Sequence, residues 1–454
     1  MRDTDAVMRI IRDVVKKSPA DQLEVTVSLK DYGLTRFAGN EIHQNMAEED
    51  SSLTVRVYHN SRIGSCSTNI LDKGSILKAV DTAMEIASLN NEDTAFPGFA
   101  EREKVEDLQE SPYVETTART GVEERGDITD SLLSAVEKRG FEAAGAVASE
   151  SSFMAVCTSR GQEVAQKETS ASLNMVVNRP GQAGFGTGSV RWLGRDIGQL
   201  NAAGIADKAV DISERNHDPV SVEPGEYEVI LTPEAVGLLL YYLSWMGFHS
   251  RAFHSGQSFM AGRIGEPVLD PKLTIIDDAF DCRGFAIPFD WEGRPKQRVN
   301  IIENGAARDV VYDSVTGAAA GRRSTGHALS LLRDRYYSSP LPTNLFIDTG
   351  DTDIGEMIRS TEKAIFINRF WYVREVHWGR AAVTGMTRDG TFLVEHGKIT
   401  KALHNLRFTQ SIVEAFSNVI SIGKDAVLTE QFNGVAMVPA LRLGRFNIVG
   451  SSKF

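Results

Sequence analysis

The sequence predicts an α+β protein: a duplicated helix-plus-antiparallel-sheet N-terminal domain, residues 1–220, followed by a β-rich, largely antiparallel C-terminal domain, residues 221–454. Three observations predict it. First, the chain echoes itself. Gly39-Asn40-Glu41-Ile42-His43-Gln44 returns as Gly161-Gln162-Glu163-Val164-Ala165-Gln166, Ser52-Leu53 as Ser172-Leu173, Val57 as Val177, Gly64 as Gly184, and Lys78-Ala79-Val80-Asp81 letter for letter as Lys208-Ala209-Val210-Asp211. Ordered matches of this kind mark a duplicated unit, here residues 1–90 and 127–217. Second, the apolar period in each copy switches from that of a helix to that of a strand. Third, Pro219, Pro224 and Gly225 punctuate the chain, and strand signals dominate beyond them.

In the first copy Val7, Ile10, Ile11, Val14 and Val15 form one helical stripe over residues 4–17, and Leu23, Val25, Val27 and Leu29 alternate as a half-buried strand does. Hairpins are expected at Gly39-Asn40 and Asn60-Ser61, with Leu53, Val55 and Val57 on one face between them and a helix over 72–89 closing the unit. Residues 92–127 are acidic and aperiodic, which predicts a long exposed connection. The second copy follows with a helix over 128–138, strands over 153–158, 163–177 and 188–192, and a helix over 196–216.

Beyond the boundary, strands are expected over 228–231, 273–276, 345–347, 364–376, 381–386, 391–395, 399–408 and 441–449. Turns at Arg388-Asp389-Gly390 and His396-Gly397-Lys398 favour antiparallel neighbours and a barrel-like body. Helices are expected over 232–246, 353–360 and 410–416.

A net charge of -12 without a clustered basic run argues against direct binding of a nucleic-acid backbone. The longest nearly unbroken apolar stretch, Ala235 to Phe248, is 14 residues. A membrane helix needs about 20, so no membrane role is expected and the stretch reads as a buried helix. The Met1-Arg2-Asp3-Thr4-Asp5 start lacks an apolar leader, which gives a cytoplasmic expectation. Cys66, Cys157 and Cys282 are far apart and read as small reduced core residues.

Several constellations invite a ligand. Asp277, Asp278 and Asp281 follow a strand and read as a solvated turn, and in Gly350-Asp351-Thr352-Asp353 either Thr352 or Asp353 reads as a helix cap. Gly184-Phe185-Gly186-Thr187-Gly188 lacks the Gly-Lys-Ser/Thr ending of a phosphate loop. Phe370-Trp371-Tyr372 with Arg369 and Arg374 reads either as a peptide groove or as one face of a core strand.

Leu34 to Gln44, Pro224-Gly225-Glu226-Tyr227, Ser258-Phe259-Met260-Ala261-Gly262-Arg263-Ile264-Gly265 and Pro439-Ala440-Leu441-Arg442-Leu443 together resemble the signature stretches of the TldD/PmbA family, the modulators of DNA gyrase. The resemblance covers essentially the whole chain. It implies a two-subunit TldD/TldE-type system in which a zinc peptidase subunit pairs with a related zinc-free subunit to degrade or trim unfolded peptides. In the TldD half a helix carries His-Glu-x-x-x-His and a late cysteine completes the metal site; the ligands leave a position for water and the Glu takes its proton. Here Tyr241 stands for the first His, Tyr242 for the Glu and Met246 for the second His, and no cysteine follows Cys282.

The resemblance therefore implies a TldE/PmbA-like subunit with no cofactor of its own, zinc being expected in a TldD-like partner, with Arg369, Trp371 and Arg374 as candidate groove residues for an unfolded peptide. The shared architecture of paired subunits is compatible with a homodimer in isolation. Two alternatives stand beside it. One is a self-sufficient metallopeptidase using His249 and His254, which share the motif's spacing; a five-residue step on a helix separates side chains by roughly 140°, so exposed loop histidines are the competing reading. The other is a non-enzymatic protein modulating gyrase or a toxin–antitoxin system.

Overall fold

The structure is a computed structural model, and it describes residues 3–181, 186–329, 340–431 and 434–452. Helix α1 (Thr4–Lys17) is capped by Asp3, whose carboxylate accepts the Ala6 N–H at 2.9 Å, and it buries Val7, Met8, Ile11 and Val14. Strands β1 (Gln22–Ala38), β2 (Glu41–His59) and β3 (Arg62–Thr68) and helix α2 (Lys73–Leu89) complete the first copy. Both expected hairpins form: Gly39 and Asn40, then Asn60 and Ser61, all take positive φ, as two-residue turns between twisted strands require.

The connection over residues 92–127 departs from the long exposed loop expected. Phe99 and Ala100 are buried, and the Thr158 hydroxyl donates to Ala100 O at 2.7 Å. A short helix α3 (Glu115–Arg119) follows, and α4 (Val122–Lys138) begins before the expected residue 128. Its start is hidden in sequence because Gly121 caps it, with the Glu124 carboxylate accepting the Gly121 N–H at 2.8 Å.

Strands β4 (Glu142–Thr158), β5 (Glu163–Asn178) and β6 (Gly188–Gly194) and helix α5 (Ala202–Arg215) form the second copy. The two copies meet along antiparallel β1 and β4, giving one six-stranded sheet of order β3-β2-β1-β4-β5-β6. Helices α1 and α2 cover the β1–β2 region, and α4 and α5 the β4–β5 region, of the apolar face.

One detail of the repeat is corrected. Gly64 lies opposite Val57 and Gly188 opposite Val177. A Cβ on Gly64 would sit 2.0 Å from Ala83 O and 2.5 Å from Ala87 N; on Gly188 it would sit 2.1 Å from Ala209 O and 2.7 Å from Ser213 N. Gly188 is thus the counterpart of Gly64, while the expected match, Gly184, lies outside the described residues. The same contacts equate Ala83 with Ala209, so the Lys-Ala-Val-Asp identity is one helical turn out of step with the structural repeat.

The second half contains β7 (Gly225–Leu231), α6 (Pro233–Gly247), α7 (Ser250–His254), β8 (Ile275–Asp277), β9 (Val299–Glu303), β10 (Ala306–Ala307), α8 (Ser314–Ala319), β11 (Asn344–Ile347) and α9 (Ile354–Arg359). It continues through β12 (Lys363–His377), β13 (Ala382–Glu395), β14 (Lys398–Ala402), β15 (Leu406–Ser411), α10 (Ile412–Phe416), β16 (Val419–Gln431) and β17 (Gly434–Ser451). The eleven-stranded sheet is mostly antiparallel; β7–β12 and β11–β17 are parallel. Because β17 also pairs with β7, strands β7, β12, β13, β15 and β17 close into a ring.

The ring and α6 bury the largest apolar cluster, including Leu239, Leu243, Met246, Phe408 and Phe446. Arg388-Asp389-Gly390 does not turn the chain: it is an irregularity inside the single strand β13, with Asp389 and Gly390 at positive φ. The expected strand over 399–408 divides into β14 and β15, and β9, β10, β16, α7 and α8 carried no recognised signal.

Candidate functional site

The face of the six-stranded sheet away from its helices is polar, and it looks toward the second half of the chain. There a cleft of about 390 Å³ opens between β5 and β6 on one side and α6, β12 and β16 on the other. Its walls include Asn174, Arg191, Tyr242, Arg369, Trp371 and Arg374. A second cleft of about 450 Å³ shares Ser172, Leu193 and Glu430 with the first and extends it past Glu168 toward Lys30 and Tyr32.

Two strand edges flank the cleft. Among the described residues β6 ends the six-stranded sheet with β5 as its one strand partner, and β16 has β17 as its one strand partner, with a single further bridge from Gly423 to Thr352. Along Ala426–Gln431 the other edge of β16 carries no strand pairing among the described residues. Leu428, Thr429 and Glu430 of that segment face Arg191, Trp192 and Leu193 of β6 across the opening.

The β12 wall is shaped by an irregularity. Its pairing with β13 jumps between Trp371 and Arg374, and Tyr372 takes φ 57°. Trp371 and Tyr372 are consequently exposed at 41% and 67%. The Arg369 and Arg388 guanidinium groups each lie 5.3 Å from the Trp371 ring centre, and Arg374 lies 5.1 Å from that of Tyr372. Arg369 is in turn held by the buried Asp389 carboxylate, with Nε donating at 2.7 Å. Asn368 donates to Ser189 O at 3.0 Å and Arg191 pairs with Glu234 at 3.4 Å, tying both walls together.

The motif positions on α6 do not fit a zinc ion. Tyr242 donates its hydroxyl to Val373 O at 2.6 Å, and its ring meets that of Tyr241 edge to face at 4.9 Å. Burial and the neighbouring Tyr242 push the Tyr241 phenol up to about 12, and burial also raises Tyr242. Met246 is fully buried in the ring core. These phenols stay protonated, and their places are taken by packing and backbone contact.

His249 and His254 also differ from the exposed loop pair expected. His249 is 4% exposed and caps α7: Nδ1 accepts the Ala252 N–H at 3.3 Å and the other nitrogen donates to Trp245 O at 3.1 Å. Burial lowers it to about 4. His254 is exposed, its Nε2 3.1 Å from the Tyr312 hydroxyl. With both nitrogens of His249 engaged, the two do not form a metal pair, and no group of three or more His, Cys, Asp or Glu placed to hold a metal occurs among the described residues.

Other expectations sort by burial. Asp353 caps α9 as read, accepting the Glu356 N–H at 2.8 Å. Asp277 is not part of a solvated turn: it is fully buried, accepts the Asn344 N–H at 2.7 Å and meets His327 Nε2 at 2.6 Å. Of the cysteines only Cys157 is buried; Cys66 and Cys282 are half-buried. Sequence reasoning brought Tyr242 forward as a motif position and Arg369, Trp371 and Arg374 as one groove cluster, and all four line the same cleft. It missed Asp389, read as a turn residue, and β16, which carried no recognised signal.

Comparison with known proteins identifies the family and the fold. The PmbA/TldA metallopeptidase C-terminal domain matches residues 224–450, and PmbA/TldA metallopeptidase domain 1 matches residues 30–87. The Escherichia coli O157:H7 metalloprotease PmbA is 22% identical over 439 residues, 93% of this chain and 92% of that protein. A Buchnera aphidicola metalloprotease TldD homologue is 26% identical over 231 residues, 49% of this chain and 46% of its own length. The fold is that of TldE from Thermococcus kodakarensis, with TM-score 0.89, 19% identity and coverage of 97% of this chain and 100% of that one. A Thermotoga maritima protein described as a modulator of DNA gyrase superposes with TM-score 0.85 at 16% identity, covering 98% of this chain and all of the other. With the C-terminal match alone spanning half its length, this chain belongs to the PmbA/TldD family of metallopeptidase-like proteins.

Proposed function

We propose that this chain is the zinc-free half of a TldD/TldE-type proteolytic pair, receiving extended unfolded peptides that a zinc-bearing partner subunit cuts. The observation that carries this reading is a combination on one cleft. The helix positions where the family's peptidase half has its ligands are given over to packing, while an Arg-aromatic wall and two strand edges without a further strand partner among the described residues flank the opening. An extended segment entering there would add backbone hydrogen bonds to the Ala426–Gln431 edge, a mode tolerant of side-chain sequence. Trp371 and Tyr372 would cover its side chains, and a folded protein would present no free strand to enter.

The reading is tested by fluorescence anisotropy with a labelled unstructured peptide and the same peptide N-methylated at alternate amides. Methylation on the edge-facing register is expected to weaken binding at least tenfold, and Trp371→Ala to weaken it several-fold. Equal binding of both peptides overturns capture by strand addition. Affinity purification from the native cell is expected to recover a His-Glu-x-x-x-His subunit; peptide hydrolysis by the isolated chain, lost on chelation and restored by zinc, overturns the division of labour.

A further inference from the structure

Among the described residues three guanidinium groups line the first cleft, and two of them are answered by a carboxylate. Arg369 is held by Asp389, Nε donating at 2.7 Å, and Arg191 lies 3.4 Å from Glu234. Arg374 has no such partner. Its Nη1 donates to the adjacent Val373 O at 2.8 Å, its guanidinium lies 5.1 Å from the Tyr372 ring centre and reaches the Tyr242 hydroxyl, and it forms no ion pair among the described residues. Glu375, next along β12, is not part of the cleft wall. The irregularity that gives Tyr372 its positive φ leaves Arg374 exposed on that wall. A guanidinium with free N–H groups is a fork that fits a carboxylate through two parallel charge-assisted hydrogen bonds.

The two ends of the cleft differ. Arg374 and Tyr242 belong to the first cleft alone, whereas Leu193 and the exposed Glu430 lie at its junction with the second. A chain with its carboxylate on Arg374 therefore runs back past Glu430 toward its own N-terminus. β16 passes from Leu428 to Glu430, and β6 from Arg191 to Leu193, toward that same junction. The chain would thus lie antiparallel to both, the arrangement with the more stable ladder of hydrogen bonds.

We propose that the first cleft anchors a peptide by its C-terminal carboxylate on Arg374, with the preceding residues laid antiparallel to β16 toward the second cleft. The inference rests on the peptide-capture reading above and adds to it a terminus and a direction. An aspartate or glutamate side chain offers the same carboxylate chemistry; the terminus is favoured because Arg374 stands away from the junction through which the two clefts continue.

Competition against an N-terminally labelled unstructured peptide, read by fluorescence anisotropy on the full chain, tests it with four forms of one sequence: the free acid, its C-terminal amide, the N-acetylated free acid, and the amide ending in aspartate. The free acid is expected to compete at least tenfold better than the amide, the N-acetylated acid to match the free acid, and the aspartate amide to behave as the plain amide. Arg374→Gln, at an exposed position and with unchanged melting temperature, should remove the difference between acid and amide, and Arg374→Lys should keep part of it. Equal competition by acid and amide overturns the anchor and leaves peptide capture standing, whereas failure of every form to bind overturns both. An aspartate amide as good as the acid overturns the choice of terminus, an N-acetyl group as costly as amidation overturns the direction, and a preference that survives in folded Arg374→Gln overturns the role of Arg374.

Discussion

Arg369 and Asp389 face one another from neighbouring strands, and the buried carboxylate of Asp389 fixes the guanidinium that lies over Trp371. Asp389 can reach it because it sits at φ 52° inside β13, where an irregularity turns its side chain into the sheet junction. A buried residue outside the cleft lining thereby holds the guanidinium that lies over the aromatic wall.

Removing the acid should therefore cost more than an ordinary surface pair. Asp389→Ala leaves Arg369 buried and unpaired, and a loss of about 3–5 kcal/mol is expected by denaturant unfolding. Arg369→Met combined with Asp389→Ala should recover most of it, because no buried charge is then left unpaired. Additive losses in the double-mutant cycle would show that the two side chains are not coupled.

The repeat makes a symmetrical prediction. Gly64→Ala and Gly188→Ala each drive a methyl group into a helix backbone, and each should destabilise by about 1–3 kcal/mol, with similar shifts in melting temperature. A neutral outcome at one position alone would break the equivalence drawn between them.

Much of this architecture was legible because periodicity and turn chemistry act locally. Asp3, Asp72 and Asp353 cap helices whose apolar stripes are plain in sequence, and Gly39-Asn40 and Asn60-Ser61 occur where two consecutive positive-φ residues are needed. What was hidden depends on tertiary partners. Asp389-Gly390 has the composition of a turn, yet cross-strand pairing on both sides keeps it within β13. His249 has the spacing of a ligand, and only the fold reveals that both its nitrogens are taken by backbone groups. The substituted motif on α6 was readable, but the meeting of β6 and β16 across the cleft joins residues too distant in sequence for any local pattern.

His249 gives a pH prediction. Burial holds its imidazole at about 4 against an ordinary value of 6.5, so the unfolded chain binds the proton more tightly. Its contribution is fully present above pH 6.5 and is lost as pH falls through that value toward 4. Its ring resonances should not titrate between pH 7.5 and 5.5 in an NMR series. His249→Ala should cost about 0.5–2 kcal/mol through the lost cap, with zinc content unchanged by elemental analysis.

Glu24 points the other way. Its carboxyl is buried on β1, one oxygen accepts from Arg56 at 3.1 Å and the other has no partner, and burial raises it from 4.5 to about 7. The folded chain then holds a proton the unfolded chain releases, so this contribution is complete below pH 4.5 and is lost as pH rises to about 7. The span corresponds to about 3 kcal/mol. Glu24→Gln keeps an oxygen for Arg56 and removes the titrating group, so the variant should match the parent near pH 4.5 and exceed it by about 2–3 kcal/mol at pH 8. Parallel stability–pH curves for the two proteins would show that Glu24 is ionised throughout and that Arg56 alone neutralises it.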